Sequence, residues 1–458
     1  MADRAGGRPE PSGPVYREVG RRPRAAPDRR EALGELTALL APVRAFFLPL
    51  LSELHRERDE SRCAYSAGTL VWTMLLGFLL HLRTRNRMDA RRMEGAYGAN
   101  ILALSGQRRA PGARARAACT GTAMLFLKAQ DPAALALLQT LLLERLLRAK
   151  TLRGGKLLGL TCIAVDATLR ERKRGRGLPA KERKRMVLEA KIVTPWGWSL
   201  TVMSEPVEPW DGEREKQDCE QRAFERLAPR LKKAFPRLPV CILGDALYAC
   251  RPIVETCRRM NWSYLLTSKA GRTPKIAEGV EKTLARAPKT HTGALPKGRT
   301  GSVGWARADE IEYETGETAP GNVVTVEETA PHAYKGAFVT DLAVGSAARA
   351  ALLCDWGRRR WNIENGFHTL KGRDGFGLEH CFCKDERAGE NLHTLMTLAH
   401  TLWQLLHTGY LKRLERKHRH CTQICWAELL WEALRCESLS AEALEASVGA
   451  RRMRFARE

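Results

Sequence analysis

The sequence has far fewer acidic residues than basic ones. In 458 residues, Asp and Glu number 52 and Lys and Arg number 76, which gives a formal net charge of +24. This excess favours a polyanionic partner, because each phosphate that a basic side chain neutralises releases counterions and adds affinity without any reading of base sequence. Nucleic acid is the first candidate, and a membrane surface is the competing one.

The sequence also lacks a secretory signal and the standard spacings of a zinc site. Thirteen cysteines in so long a chain, without an N-terminal signal, indicate reduced thiols in a cytoplasmic protein and not a disulfide framework. His380 with Cys381 and Cys383, and a second group at 418–425, match neither C-x2-C nor H-x3-H. We interpret both groups as structural thiols and surface histidines.

Charge is absent from the twenty residues between Arg62 and Arg83, which include GTLVWTMLLGFLLHL. Length alone would permit a membrane span. However, polar residues are scattered through the stretch and basic residues flank both ends. We therefore predict a buried core helix and no membrane partner.

Composition and pattern divide the chain into six segments. Residues 1–30 lack apolar periodicity and are rich in Arg, Pro and Gly, which is typical of a disordered basic arm. Neither an internal repeat nor a helix-turn-helix signature is visible. The remaining segments are a helical N-terminal domain that is a candidate for DNA binding, an α/β core in two parts, a β-rich insertion between these parts, and a helical C-terminal region (31–155, 156–269 with 336–408, 270–335 and 409–458).

Three acids stand in matching contexts. The apolar runs LGLTCIAVD (158–166) and VCILGD (240–245) predict buried strands that end in Asp166 and Asp245. The third acid, Glu364, lies in the predicted helix RRRWNIENGFHTLKGR. On this helix Arg360 and Lys371 project from the same face as Glu364.

Such a set of acids in a basic chain suits phosphoryl transfer assisted by paired Mg²⁺ ions. Two ions roughly 3.5–4 Å apart need carboxylates to bridge them, and hard oxygen ligands suit Mg²⁺. One ion activates the attacking oxygen and the other stabilises the leaving oxygen. A single acid would be weak support, because acids often end strands, and three in matching contexts are stronger.

Four phrases resemble the DDE transposases of bacterial insertion sequences: CIAVDAT, KQDCEQRAFERLAPRLKKAFPRLPV, CILGDALYAC and RRRWNIENGFHTLKGRDGFGLEH. The resemblance covers about 155–405. It implies an α/β fold with an RNase H-like (ribonuclease H fold) catalytic core, a β-rich insertion before the third acid, and helical regions at both ends. It also implies that Asp166, Asp245 and Glu364 are the catalytic residues and the ligands of two Mg²⁺ ions, for which Mn²⁺ can substitute.

The resemblance further implies the reaction and its partners. A DDE transposase cleaves double-stranded DNA at the inverted repeats of the transposon ends and joins the 3′-hydroxyl to target DNA, and we expect a homodimer in the DNA complex. The family signature Y-x2-R-x3-E-x6-K places Arg360 and Lys371 at its basic positions, where they would bind DNA phosphates. Its tyrosine position is occupied by Gly357.

Two further residues have alternative interpretations. Lys269 follows a predicted strand and is a candidate DNA contact, although a solvated lysine is nearly as good an interpretation. Trp305 lies in the insertion, where a related branch of the family stacks a flipped base on an aromatic ring, but a buried tryptophan is the favoured interpretation.

Two other functions remain open from the sequence. A metal-dependent nuclease of the same fold would cleave DNA without joining it, and a derivative that has lost catalysis would only bind DNA. Separate assays of strand transfer and hydrolysis distinguish the three.

Overall fold

The computed structural model describes residues 27–54, 63–108, 116–172, 184–207, 219–286, 289–314, 316–415 and 421–450. Nearly all of the predicted basic arm at 1–30 lies outside these ranges. The described residues form a mixed α/β structure around one large sheet. The strands are β1 (Lys156–Leu157), β2 (Leu160–Arg172), β3 (Lys184–Val193), β4 (Ser199–Val207), β5 (Val240–Gly244), β6 (Ser263–Ser268), β7 (Lys289–Leu295), β8 (Arg299–Glu312), β9 (Thr318–Ala330) and β10 (Tyr334–Thr340).

Helices precede, follow and interrupt the strands. The α-helices are α1 (Arg29–Glu53), α2 (Ala67–Leu79), α3 (Arg85–Arg91), α4 (Tyr97–Ser105), α5 (Thr120–Ala129), α6 (Pro132–Arg148), α7 (Glu220–Ala234), α8 (Arg251–Arg259), α9 (Pro274–Arg286), α10 (Ala347–Arg358), α11 (Trp361–Lys371), α12 (Glu386–Gln404), α13 (Lys412–Glu415), α14 (Gln423–Cys436) and α15 (Ala441–Ala450). A π-helical segment, Leu405–Leu411, joins α12 to α13.

One half of the sheet has the strand order β4-β3-β2-β5-β6. Strands β2, β3 and β4 form an antiparallel meander, and β5 and β6 run parallel to β2. The turn residues Pro195-Trp196-Gly197 between the runs MVLEAKIV and SLTVMSEPV predict a hairpin. The structure confirms it as β3 and β4, with a positive φ of 92° at Gly197. A residue without Cβ adopts this φ at little cost.

The register of β2 and β5 brings the first two acids together. Their parallel pairing runs as far as Ala164 opposite Leu243, and Asp166 and Asp245 are each two residues further on. Neighbouring strands lie roughly 4.8 Å apart, so the two acids leave the paired region side by side. Asp245 follows the end of β5 as predicted. Asp166 does not end its strand, because β2 continues along β3 as far as Arg172.

The insertion extends the same sheet. β10 pairs with β6 on one side and with β9 on the other, and β8 and β7 follow. The sequence indicated a β-rich insertion over 270–335, and this segment contains β7, β8 and β9 after an initial helix, α9, which was not predicted. This helix buries Ile276 and Val280, which are one turn apart.

Helices from both ends of the chain pack together around α12. Helices α2, α5 and α6 contact α12, and α1 contacts α14 and α15. The apolar stretch after Arg62 forms α2, whose thirteen residues are all buried, which confirms the predicted core helix. By length and composition α1 is also apolar enough to cross a membrane, a test that core helices of soluble proteins pass as well. Its Leu36, Leu39 and Phe47 are fully buried against its neighbours.

A charged group is buried between the sheet and α12. Lys191 Nζ lies 2.8 Å from Glu189 Oε2, and His393 Nε2 lies 2.8 Å from Glu189 Oε1. The side chains of Lys191 and Glu189 are fully buried. Burial would raise the pKa of Glu189, but Lys191 and His393 outweigh burial and lower that pKa below its usual range. Lys191 also lies 4.5 Å from the ring centre of Phe367 on α11, a cation–π contact.

We expect Lys191→Met to lower the free energy of unfolding by about 3–5 kcal/mol, because it leaves the carboxylate of Glu189 buried without its main partner. The double variant Glu189→Leu with Lys191→Met should lose less, because it leaves no unpaired charge. Urea unfolding measures both. Lys282→Met, which removes the exposed partner of Glu278, is the control and should leave the midpoint unchanged. A Lys191→Met midpoint equal to that of the parent would contradict the assignment.

Candidate active site

Asp166 lies on β2, just beyond the last residue pair between β2 and β5. Its side chain is 22% exposed and faces the same side of the sheet as Glu189, its cross-strand partner on β3. Facing residues of an antiparallel pair project together. Asp166 therefore opens toward solvent at the point where the buried charged group of the core ends.

Asp245 is held in a tight turn after β5. Its carboxylate accepts a hydrogen bond from the backbone N–H of Leu247 at 2.9 Å, and its carbonyl accepts one from the N–H of Tyr248. Gly244 precedes it, and a Cβ at Gly244 would lie 2.6 Å from Cβ of Tyr248. Only glycine lets the turn close this tightly, so the sequence of the turn fixes the direction of Asp245.

Glu364 lies in the first turn of α11, and this helix is not continuous with α10. The sequence suggested one helical stretch over 358–373, but the chain bends at Arg359, and Arg360 is the N-cap residue of α11. Helix α11 contacts β2, β3 and β4. It therefore brings Glu364 over the strand that carries Asp166.

Two glycines make this arrangement possible. A Cβ on Gly366 would lie 2.7 Å from Oγ of Ser199, so glycine lets α11 approach β4 closely. A Cβ on Gly357 would overlap the ring of Phe338 on β10. The missing tyrosine of the signature thus has a steric reason, because β10 occupies the space that any side chain at Gly357 would need.

One guanidinium joins two of the acids. Arg360 Nη1 lies 2.7 Å from Glu364 Oε1 and 3.8 Å from Asp166 Oδ2. Arg360 is only 6% exposed. Its side chain is therefore directed into the acids and not toward a phosphate at the surface.

A fourth carboxylate, Glu220, belongs to the same cluster and was missed from the sequence. It is the first residue of α7, and it accepts a hydrogen bond from the hydroxyl of Tyr248 at 2.8 Å. Its neighbourhood was visible in the phrase KQDCE, to which no chemical role was given. An acid at the start of a helix has a local explanation in the helix dipole, so the sequence held no clear signal for this placement.

Burial and mutual repulsion act on these acids. The pKa of Asp166 is raised to about 7, mainly by burial. The charge of Arg360 opposes this rise, and the neighbouring carboxylates add to it. These neighbours are Glu220, Asp245 and Glu364. Burial also raises the pKa of Glu220, although the hydrogen bond from Tyr248 opposes the change. The structure thus brings all three sequence-predicted acids into one electrostatic cluster.

The donors of this cluster fit a hard divalent cation. All are carboxylate oxygens, and their repulsion favours a positive charge among them. In the described part of the chain, however, no group of three or more Asp, Glu, His or Cys side chains has the geometry of a formed metal site. The guanidinium of Arg360 stands in the place of a cation between Asp166 and Glu364.

The predicted DNA contacts lie in different environments. Lys371 ends α11, and its Nζ lies 3.3 Å from Glu379 Oε1 in a partly exposed pair. Lys269 follows β6, is exposed, and its backbone N–H donates to the hydroxyl of Thr273. Trp305 is 8% exposed on β8, which confirms the buried interpretation.

A basic cavity of about 590 Å³ opens between the insertion and α10–α11. Its cationic side chains are partly neutralised by Asp355 and Glu328. Tyr334 and the half-exposed Trp361 supply its aromatic surface, and Arg358 lies 4.4 Å from the ring centre of Tyr334. The cationic side chains are Lys297, Arg299, Arg358 and Arg359.

The central part of the chain matches a known protein family. Residues 220–402 match the family model of the transposase DDE domain. No curated protein sequence matches the chain. Among solved structures, it is similar to a piggyBac transposase synaptic complex with hairpin DNA, seen by cryo-electron microscopy, with 9% identity, a TM-score of 0.37, and coverage of 92% of this chain and 82% of that one.

The matched range contains Asp245 and Glu364 and begins at Glu220, so Asp166 lies before it. The resemblance to DDE transposases that the sequence phrases indicated is confirmed by this match, which covers residues 220–402.

Proposed function

We propose that the protein is an insertion-sequence transposase that cleaves DNA at transposon ends and transfers the 3′-hydroxyl strand into target DNA. The observation that carries this proposal is the meeting of Asp166 and Glu364 on one guanidinium, with Asp245 in register beside Asp166. Residues far apart in sequence form one acidic cluster in a chain whose residues 220–402 match the family model of the transposase DDE domain. The alternatives remain a nuclease that does not join strands and an inactive DNA-binding derivative.

The strand order supports an RNase H-like core. An antiparallel meander, β2 to β4, followed by β5 and β6 parallel to β2 is the arrangement that the resemblance implies, with helices packed on both sides. In this proposal β7–β10 belong to the insertion before the third acid. The helical region 31–155 remains a candidate for binding transposon ends.

Asp166, Asp245 and Glu364 are the residues that would hold two Mg²⁺ ions, with Mn²⁺ as a substitute. When bound, such ions supply charge stabilisation for the attacking and leaving oxygens of phosphoryl transfer. The protein's own groups prepare the site. β2 and β5 fix two carboxylates side by side, α11 brings the third, and Arg360 neutralises them.

The neighbouring basic surface would position DNA. Phosphate contacts fix the register of a duplex without reading its sequence, and Lys269, Lys371 and the basic cavity offer such contacts. Arg360 is a phosphate ligand only if it leaves the acids in the DNA complex. We expect a homodimer there, acting in the cytoplasm on the bacterial nucleoid.

We expect Asp166→Asn and Asp245→Asn to abolish cleavage and strand transfer while sparing DNA binding, because each removes a carboxylate but keeps its shape. Glu364→Gln should do the same. Gel assays with labelled transposon ends and Mg²⁺ or Mn²⁺ measure cleavage and joining separately. Glu225→Gln, on an exposed face of α7, is the matched control. Cleavage retained by either aspartate variant would exclude the assignment, and cleavage without joining by the parent would favour the nuclease.

Cation affinity should rise with pH through about 7, because Asp166 is protonated below its raised pKa of about 7 and must lose this proton to offer its charge. Mn²⁺ titrations at about pH 6 and about pH 8 should differ by roughly tenfold or less, the effect of one proton competing over this interval. In Asp166→Asn the pH dependence should disappear. Equal affinities of the parent at both pH values would contradict the pKa assignment.

Lys371→Ala and Lys269→Ala should each weaken DNA binding and flatten its salt dependence by about 0.9 in the slope of log K against log[salt] per lost phosphate contact. Thermal stability should hardly change, because exposed pairs contribute little. Arg360→Ala tests the third contact. A normal salt slope in that variant would assign its guanidinium to the acids alone, and normal slopes in both lysine variants would remove the phosphate role.

A further inference from the structure

Glu220 joins the two chain segments that carry the first two acids. Its carboxylate accepts the hydroxyl hydrogen of Tyr248, three residues after Asp245, at 2.8 Å. The backbone N–H of Ala167, the residue after Asp166, also faces this carboxylate and lowers its pKa. One side chain thus links the part of β2 that carries Asp166 to the turn after β5.

This link lies where the sheet no longer holds the strands. The paired residues of β2 and β5 end at Ala164 and Leu243, before either acid. Beyond that point, hydrogen bonds between the two strands do not fix the distance from Asp166 to Asp245. The side chain of Glu220 joins the two chain segments here, where backbone hydrogen bonds no longer join β2 and β5.

The partner of Glu220 is itself firmly placed. Tyr248 is fully buried, and its ring packs edge-to-face on Phe224 of α7 at 6.5 Å between centres. Gly244 allows Tyr248 to fold back over the end of β5. Nearby, the side-chain amide of Gln221 donates to the carbonyl of Leu247 at 2.8 Å, so α7 contacts the same turn twice.

We propose that Glu220 is a positioning residue of the acid cluster, whose carboxylate fixes the separation of Asp166 and Asp245 by bridging Ala167 and Tyr248. The geometry of this bridge rests on the contacts of Glu220 with Tyr248 and Ala167. Its importance for catalysis rests on the proposed function. The competing role is simple negative charge, which Glu220 would contribute without any bridge.

Three variants of the full chain separate these roles. Glu220→Ala removes both bridge and charge. Glu220→Gln removes the charge but keeps the bridge, because its amide oxygen can accept from Ala167 while its NH2 donates to the hydroxyl oxygen of Tyr248. Tyr248→Phe removes one half of the bridge and keeps the charge. Glu225→Gln, which changes an exposed glutamate of the same helix, is the control.

The first measurement is hydrogen exchange of the metal-free protein. Glu220→Ala should speed exchange at Ala167 and in residues 245–250 by about tenfold, the expected effect of losing one hydrogen bond. Glu220→Gln should stay near the parent, and Tyr248→Phe should affect mainly 245–250. Unchanged exchange in β9 shows that the fold is intact. Parent-like exchange at Ala167 in Glu220→Ala would overturn the proposal.

The second measurement is Mn²⁺ affinity with the rate of end cleavage. Glu220→Ala should weaken both, and Glu220→Gln should restore most of each, because geometry and not charge is what the residue supplies. Equal losses in the two variants would overturn the positioning role in favour of charge. A parent that neither binds Mn²⁺ nor cleaves DNA would refute the proposed function, while faster exchange in Glu220→Ala would still support the bridge.

Discussion

The crowding of carboxylates just beyond the paired region of β2 and β5 is the constraint on which the rest of this site depends. Burial is the main cause of the raised pKa of Asp166, and the neighbouring carboxylates raise that pKa further. A protein keeps such a cluster only if a positive charge compensates it. Here Arg360 supplies that charge within the chain, and arginine suits the role because it stays ionised even when buried.

The arrangement of the helices follows from placing that arginine. If α10 and α11 were continuous, Arg360 would lie inside a helix whose direction is set by the packing of Gly357 on Phe338. The bend at Arg359 lets α10 follow β10 while α11 turns over β2, β3 and β4. Gly366 then allows the contact with β4. Gly357 weakens α10 and Gly366 weakens α11, but each allows a close contact that a larger residue would prevent.

The sequence predicted where the strands of the site lie better than it predicted how far they extend. Apolar runs ending in acids indicated β2 and β5, and the hairpin of β3 and β4 followed from its Pro-Trp-Gly turn. The basic residues after Asp166 resemble a linker, but pairing with β3 carries β2 on to Arg172. Glu220 could not be assigned, since its partners Ala167 and Tyr248 are distant in sequence. Helix α9 was hidden by its Gly- and Thr-rich surroundings.

In this structure the arginine of the signature contacts the acids of the site. A spacing of four residues allows Arg360 to pair with Glu364, and in this structure the pair is formed between a buried guanidinium and a partly exposed carboxylate. A divalent cation among the same acids would place a second positive charge beside the guanidinium. Repulsion between the two charges would then oppose the present position of the guanidinium, 2.7 Å from Glu364.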